Sequence, residues 1–399
     1  MKKIIYVIIF LAFASLANAQ WILQQTGTTE VLFSISPVTA DTVFVAGYSG
    51  TIIKTVNGGV NWFSVSSGSM PSLYGSYFLN GSTGWVLGEI GKVFKTTNAG
   101  ANWSEKTSGT TQLLYKIFFV NENTGWLTGV GVIRKSTNGG ESWVSQTGVN
   151  GEINALQFVN ENTGWVAGSG SRPYKTTNGG TNWIAYSSSF GWITQMSMID
   201  ANTGWMCGRD QTIIKTTNGG INWISMYPTG SRQFNSISFV DPNTAIAITS
   251  NNVYVKTTND GTTWSVDSLA NIGYSIKFLN ANTGWIAGYS GTIYKTTNGG
   301  STFISTISTE IPSAFSLSQN YPNPFNPSTF IKFDVSRSSF VSLKIFDALG
   351  REIATLVNEN LKPGTYEVDW NASNYPSGVY FYKLYTESYS ETKKMLMIK

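Results

Sequence analysis

The sequence predicts an all-β chain, a seven-bladed β-propeller followed by a small immunoglobulin-like β-sandwich, and three observations carry that prediction. A unit of about 40 residues repeats seven times, which is the length of one propeller blade. Each unit divides into four strand-sized apolar segments parted by Gly, Asn and Thr, with no helical periodicity. Beyond Phe303 the repeat stops, and short alternating strands of a different pattern take over.

The chain opens with Lys2 and Lys3, an apolar run from Ile4 to Leu16, and the small residues Ala17-Asn18-Ala19. That order reads as a removable signal over residues 1–19, because the run is shorter than the roughly 20 residues that span a bilayer and no stop-transfer charges follow. No later segment reads as a membrane span, so the mature chain is expected outside the cell or attached to its outer surface. Cys207 is alone and cannot form a disulfide within the chain, so packing must supply stability. It stands where Leu87, Thr128 and Ala167 stand in other units, as a small core residue. The 14 Trp, 19 Tyr and 22 Phe supply large buried surfaces.

The propeller is read over residues 20–309. Its main mark is Lys-Thr-Thr-Asn-Gly-Gly-x-Asn-Trp, whose last residue falls at Trp62, Trp103, Trp143, Trp183, Trp223 and Trp264, with Phe303 as a substitution. Asn and Gly tolerate positive φ, so the mark forms a tight turn with Thr and Trp on flanking strands. A second mark, Asn-Thr-Gly-Trp, ends at Trp126, Trp165, Trp205 and Trp285, with Ser82-Thr83-Gly84-Trp85 as a variant. Residues present in every unit serve the packing of units, so these tryptophans are expected to wedge against neighbouring blades. In the third unit the strands are expected at Leu114–Phe119, Gly125–Thr128, Val132–Ser136 and Ser142–Gln146. Trp21 stands where a blade's last-strand Trp would stand but has no earlier strands of its own. It is expected to close the ring by completing the seventh blade, beside or in place of the Phe303 strand.

Ser/Thr-x-Asn-x-Gly-x-x-Trp resembles the Asp-box of sialidase-like and sortilin-like propellers, with Asn in the usual place of Asp. The tandem of both marks is similar to the photosystem II assembly and stability factor propellers over about 290 residues. That resemblance implies a seven-bladed ring acting as a binding scaffold. Residues 310–320 read as a linker and 321–399 as a second domain with strands near Thr329–Val335, Val341–Phe346, Glu352–Val357, Gly364–Trp370, Gly378–Leu384 and Lys394–Ile398. Here Asn-Tyr-Pro-Asn-Pro-Phe-Asn-Pro, Ile-Phe-Asp-Ala-Leu-Gly-Arg-Glu, Ser-Gly-Val-Tyr-Phe-Tyr-Lys-Leu and the terminal Lys-Lys-Met-Leu resemble the sorting domain of the bacterial type IX secretion system. The resemblance implies the secretion machinery as one partner, and release or surface attachment afterwards.

Chemistry is constrained by what is missing. The chain has no His, which removes His-based acid–base work, the Ser-His-Asp and Cys-His nucleophiles and most zinc sites. Glycine loops for nucleotides and Asp-rich metal loops are absent too, so neither cofactor nor metal is expected. Residues 20–310 hold 15 basic and 14 acidic residues without a run of either sign, so nucleic acid is not an expected partner. The sialidase-like resemblance leaves a secreted glycosidase as the alternative to a non-catalytic binder. Such an enzyme needs paired carboxylates, whereas Glu89, Glu152 and Asp210 fall singly on different units.

If the strands run as in other propellers, the two marks share one face of the ring and the loops that vary share the other. Varied loops on a rigid scaffold suit recognition of a protein or glycan. The candidate ligand-binding residues on that face are Arg172, Arg209, Arg232, Trp192, Asp210, Tyr48, Tyr289 and Glu89. Three of the four propeller arginines are among them, suited to carboxylates or phosphates, with Trp192 as a stacking surface. The rival reading is that they are solvated surface residues.

Overall fold

The computed structural model describes residues 21–65, 70–170, 172–185, 190–210, 212–227, 232–300, 305–372 and 375–398. The signal read at residues 1–19 and the Phe303 position lie outside the described residues. Two compact units emerge, one spanning Trp21–Gly300 and the other formed by the described chain from Ser305 onward.

The first unit is a ring of seven four-stranded antiparallel sheets. Its first strands are Leu32–Pro37, Leu73–Phe78, Leu114–Phe119, Ile153–Phe158, Ile193–Met198, Phe234–Asp241 and Gly273–Phe278. Each packs against the first strand of the next blade, and Gly273–Phe278 packs against Leu32–Pro37, so the first strands enclose an axial channel. In the third blade the strands are Leu114–Phe119, Gly125–Gly129, Val132–Ser136 and Val144–Ser145. Among the described residues the only helical turns are three short 3-10 segments, at Tyr48–Gly50, Glu89–Gly91 and Tyr289–Gly291.

The repeated residues stitch neighbouring blades together. Trp85 lies flat against Phe119 of the next blade, ring centroids 3.7 Å apart, and Trp126 against Phe158 at 3.5 Å. The same indoles donate from Nε1 into the next blade's Asn-Gly turn, Trp85 to Gly139 O at 3.1 Å and Trp126 to Gly179 O at 3.1 Å. From the outer side Trp143 and Trp183 meet the edges of Phe119 and Phe158. Trp143 also shares a core with Trp85, Leu87 and Val93 of the preceding blade, the wedging expected of the mark. Fully burying such rings is among the largest single contributions a side chain makes.

The turn of the mark is held by its own hydroxyl. Thr96 Oγ1 accepts from Gly100 N at 2.9 Å, and Asn98 Oδ1 accepts from Asn102 N at 2.9 Å. The set recurs as Thr55 with Asn57, Ser136 with Asn138, Thr176 with Asn178 and Thr216 with Asn218. Thr96→Val keeps the shape but leaves the buried Gly100 N–H without an acceptor. It is expected to lower the unfolding free energy by about 2 kcal/mol in urea melts followed by tryptophan fluorescence.

Ring closure comes from the N-terminal end. Ile22–Gln24 pairs antiparallel with Ile293–Lys295 as the outer strand of the seventh blade. Thr26 Oγ1 donates to Gly291 O at 2.7 Å, and Gly291 N donates to Glu30 O at 2.8 Å. Gly291 has φ +68°, and a Cβ there would lie 1.8 Å from Thr28 O, so this crossing requires glycine.

The structure sends Ser305–Ser308 elsewhere than the sequence reading does. Rather than ending the propeller, this strand pairs with Gly364–Asn371. Residues 310–320 are likewise more than a linker, since Ser316–Leu317 pairs with Phe333 and Asp334. The Pro-rich run is not a free connector either: Phe325 is buried and its N–H donates to Leu396 O at 3.0 Å. The second unit thus has two four-stranded sheets. One orders Ser305–Ser308, Gly364–Asn371, Ser328–Val335 and Ser316–Leu317; the other orders Glu352–Leu361, Ser339–Phe346, Gly378–Tyr385 and Ser390–Met397. Alternate residues of both, such as Ile331, Phe333, Leu343, Ile345, Tyr382 and Met395, meet in one core.

Candidate binding site at the channel mouth

Backbone hydrogen bonds separate the two faces of the ring. In the marks, Gly139 N donates to Asn123 O and Gly179 N to Asn162 O, so the two repeated turns of a blade lie side by side. On the other face the loop after each second strand meets the loop that enters the blade, through Tyr48 N to Val31 O, Arg209 N to Trp192 O and Tyr289 N to Ile272 O. Every candidate ligand residue named from the sequence belongs to this second face.

The axial channel opens there into a cavity of about 320 Å³. Its wall takes the second residue of each first strand, one from every blade. Four in succession are aromatic, Tyr274, Phe33, Tyr74 and Tyr115. Phe33 and Tyr74 stack at 4.8 Å, while Tyr274 meets Phe33 at 5.6 Å and Tyr115 meets Tyr74 at 6.3 Å, both edge-on. The other three are polar, Asn154, Thr194 and Asn235. Thr194 Oγ1 donates to Phe234 O at 2.8 Å and Asn235 Nδ2 to Gly273 O at 2.8 Å, linking successive blades. Half the mouth is therefore an aromatic arc and half a hydrogen-bonded polar arc.

Arg209 and Trp192 complete the polar side. The Arg209 guanidinium lies 3.8 Å from the Trp192 ring centroid, and Trp192 Nε1 donates to Asn154 Oδ1 at 3.1 Å. Stacking fixes the guanidinium plane while leaving its N–H groups free to fork onto a carboxylate or phosphate. Arg209 remains exposed.

The remaining candidates do not line the mouth cavity itself. Burial, then the negative charge of Glu89, then Tyr48 raise the pKa of Tyr74, which puts both of the latter beside the aromatic arc. Glu89 Oε2 also accepts from Ser72 N at 3.2 Å. Burial and then Tyr289 raise the pKa of Tyr274 in the same way. Tyr48 and Tyr289 themselves are about half exposed, at 49% and 51%. Asp210 follows Arg209 at the rim and adopts φ +53°. Arg172 is exposed and Arg232 partly buried, and neither lines the mouth cavity with Arg209. The arginine trio inferred from neighbouring blades is thus one arginine at the mouth and two outside its wall. Arg134 turns to the backbone, Nη2 donating to Gly109 O at 2.6 Å.

Sequence reasoning missed the aromatic and polar arcs, although a signal exists: each arc residue stands eleven positions before the Trp position of the second mark. It also missed Lys116 and Lys277. Both lie on first strands and line a second cavity of about 210 Å³ inside the ring; Lys116 borders the mouth cavity as well. Burial, then the charge of Lys277, lowers the Lys116 pKa to about 8. Cys207 is fully buried and its thiol is pushed up to about 12, mainly by burial, which keeps it protonated and inert. Among the described residues no group of three His, Cys, Asp or Glu is placed to hold a metal ion, and no helix is long and apolar enough to cross a membrane.

These features define a seven-bladed β-propeller with a patterned channel mouth, joined to a β-sandwich that matches the secretion system C-terminal sorting domain over residues 319–399. The family model for photosynthesis system II assembly factor YCF48 matches residues 13–109 and 190–322. The chain belongs to that YCF48 family and carries a type IX secretion sorting domain, which marks it for export. Among solved structures, YCF48 bound to D1 peptide is similar with a TM-score of 0.61 at 20% identity, covering 70% of this chain and 96% of that one. YCF48 from Cyanidioschyzon merolae follows at 0.58 and 18%, covering 69% and 98%. The WD40 β-propeller domain of Doa1 reaches 0.59 at 13%, covering 69% and 96%. Identities this low establish the shared fold. No curated protein matches the chain.

Proposed function

We propose that the chain is an exported, non-catalytic recognition propeller that binds a protein or glycan partner through its variable face, at the outer cell surface or beyond it. The observation that carries this reading is the mouth itself, an aromatic arc facing Arg209 stacked on Trp192. Rigid aromatic surface with one pre-oriented guanidinium is the composition of a binding hot spot. A protein segment is the favoured partner, because a structure of the same fold holds a peptide. The non-catalytic reading draws support from the cavity wall, which has no Asp or Glu among the described residues to form the carboxylate pair of a glycosidase.

The test is capture of partners from envelope and culture extracts by the full-length protein, with bound proteins and glycans identified separately. Trp192→Ala and Arg209→Ala are each expected to reduce capture at least about tenfold, the usual scale of a hot-spot loss. Arg172→Ala, away from the cavity wall, should leave it near wild type. Capture unchanged by both mouth variants would overturn the reading, and a purely glycan catch would replace the protein partner.

A further inference from the structure

Two positive charges sit inside the ring with no counter-charge among the described residues. Each of the other propeller lysines reaches a carboxylate, a carbonyl or an aromatic face: Lys95 binds Glu141, Lys295 donates to Gly58 O, and Lys135 lies over Trp126. Lys116 and Lys277 have no hydrogen bond or ion pair among the described residues. They line the same cavity from the third and seventh blades and are close enough for the charge of one to depress the pKa of the other. Around them are Ser34, Ser76, Ser275 and Gln195, and no carboxylate among the described residues. Both lysines are partly buried where they line the channel wall.

Like charges confined together in a poorly solvated channel repel, and each also loses hydration. A fold gains nothing structurally from the pair, since neither lysine bridges two blades. The arrangement makes sense if an anion completes it. We infer that the axial channel is a carboxylate site, in which an acidic side chain or chain end of the partner passes the aromatic mouth and is held between Lys116 and Lys277. Hydroxyls and the Gln195 amide can donate to the remaining oxygen lone pairs. Lys116 borders both cavities and so stands on the path from the mouth inward. This inference rests on the reading above only for the carrier of the carboxylate.

Acetate serves as the probe. Melting of the full-length protein would be followed at pH 7 as chloride is exchanged for acetate at constant ionic strength, with inorganic phosphate as a parallel series. Acetate is expected to raise the melting temperature saturably, and Lys116→Met and Lys277→Met should each weaken its apparent affinity about tenfold or more. The readout is the acetate dependence within each protein, so a change in basal stability does not obscure it. Acetate should also raise the pKa of Lys116, read by NMR of the isotopically methylated amine. No saturable acetate effect, an acetate affinity in both variants equal to that of the wild type, or stabilisation by phosphate alone would overturn the carboxylate assignment. Partner capture that ignores Trp192 and Arg209, with acetate still bound through Lys116, would sink only the earlier reading.

Discussion

Trp21→Ala is expected to lower the unfolding free energy of the propeller by about 3–5 kcal/mol, the scale of removing a buried aromatic ring whose site cannot collapse. Trp21 is only 6% exposed and meets Phe278 and Tyr254 edge-on, at 5.8 and 6.3 Å between centroids. Its surroundings also include Ile246, Ile248 and Ile276, which belong to two adjoining blades. The loss should exceed that for any solvent-side change, because this ring anchors the strand that closes the circle. Removing Trp21–Gln24 altogether would expose the Ile293–Thr296 edge and its unpaired backbone, and edge-to-edge association should follow. Urea melts and size-exclusion chromatography check the pair of variants. A Trp21→Ala protein with the wild-type urea midpoint would show that closure does not depend on this contact.

The closure illustrates what the sequence made legible. Trp21 could be placed because it is followed by Gln24-Gln25-Thr26-Gly27, as Trp143 is followed by Ser145-Gln146-Thr147-Gly148. Blade number and most strand positions follow from similar marks, which are visible because every blade needs the same interblade contacts. Functional positions have the opposite property. The seven mouth residues occupy one structural position but are Tyr in three blades, Asn in two, and Phe and Thr in one each, so no single letter repeats around the ring. Attention to varied loops found Trp192 and Arg209 and missed the first-strand residues that form the wall between them. The end of the propeller was misjudged at Ser305–Ser308 for a further reason: a strand-sized segment at the right spacing does not reveal which sheet it joins. Its partner, Gly364–Asn371, lies about 60 residues later in the chain, beyond the reach of local patterning.

Lys116→Met should make the protein more stable at pH 7 and flatten its response to alkali. In the folded chain the amine titrates near 8 because of burial and the charge of Lys277, whereas an unfolded lysine titrates near 10.4. Between those values the unfolded state binds more protons, so unfolding free energy rises with pH. Below about 8 the full penalty of the buried charge is present; above the unfolded value it is gone. The shift corresponds to an order of 1–3 kcal/mol after allowing for the partial exposure of Lys116, and Lys116→Met should recover that amount at neutral pH.

Other groups facing Lys116 act in the same window and must be separated from it. Lys277, also lowered by burial, contributes with the same sign. Cys207 opposes it above about 9, because its folded thiol stays protonated while an unfolded one ionises. Tyr77 and Tyr115, raised mainly by burial, oppose it above about 10. The difference between wild type and Lys116→Met removes these common contributions to first order. That difference should be largest at pH 7, shrink through pH 8 to 10 and fall further when acetate is added, since a bound carboxylate relieves the same charge. A difference that stays constant with pH would mean that Lys116 is ordinarily solvated, and the methionine's effect would then be one of packing alone.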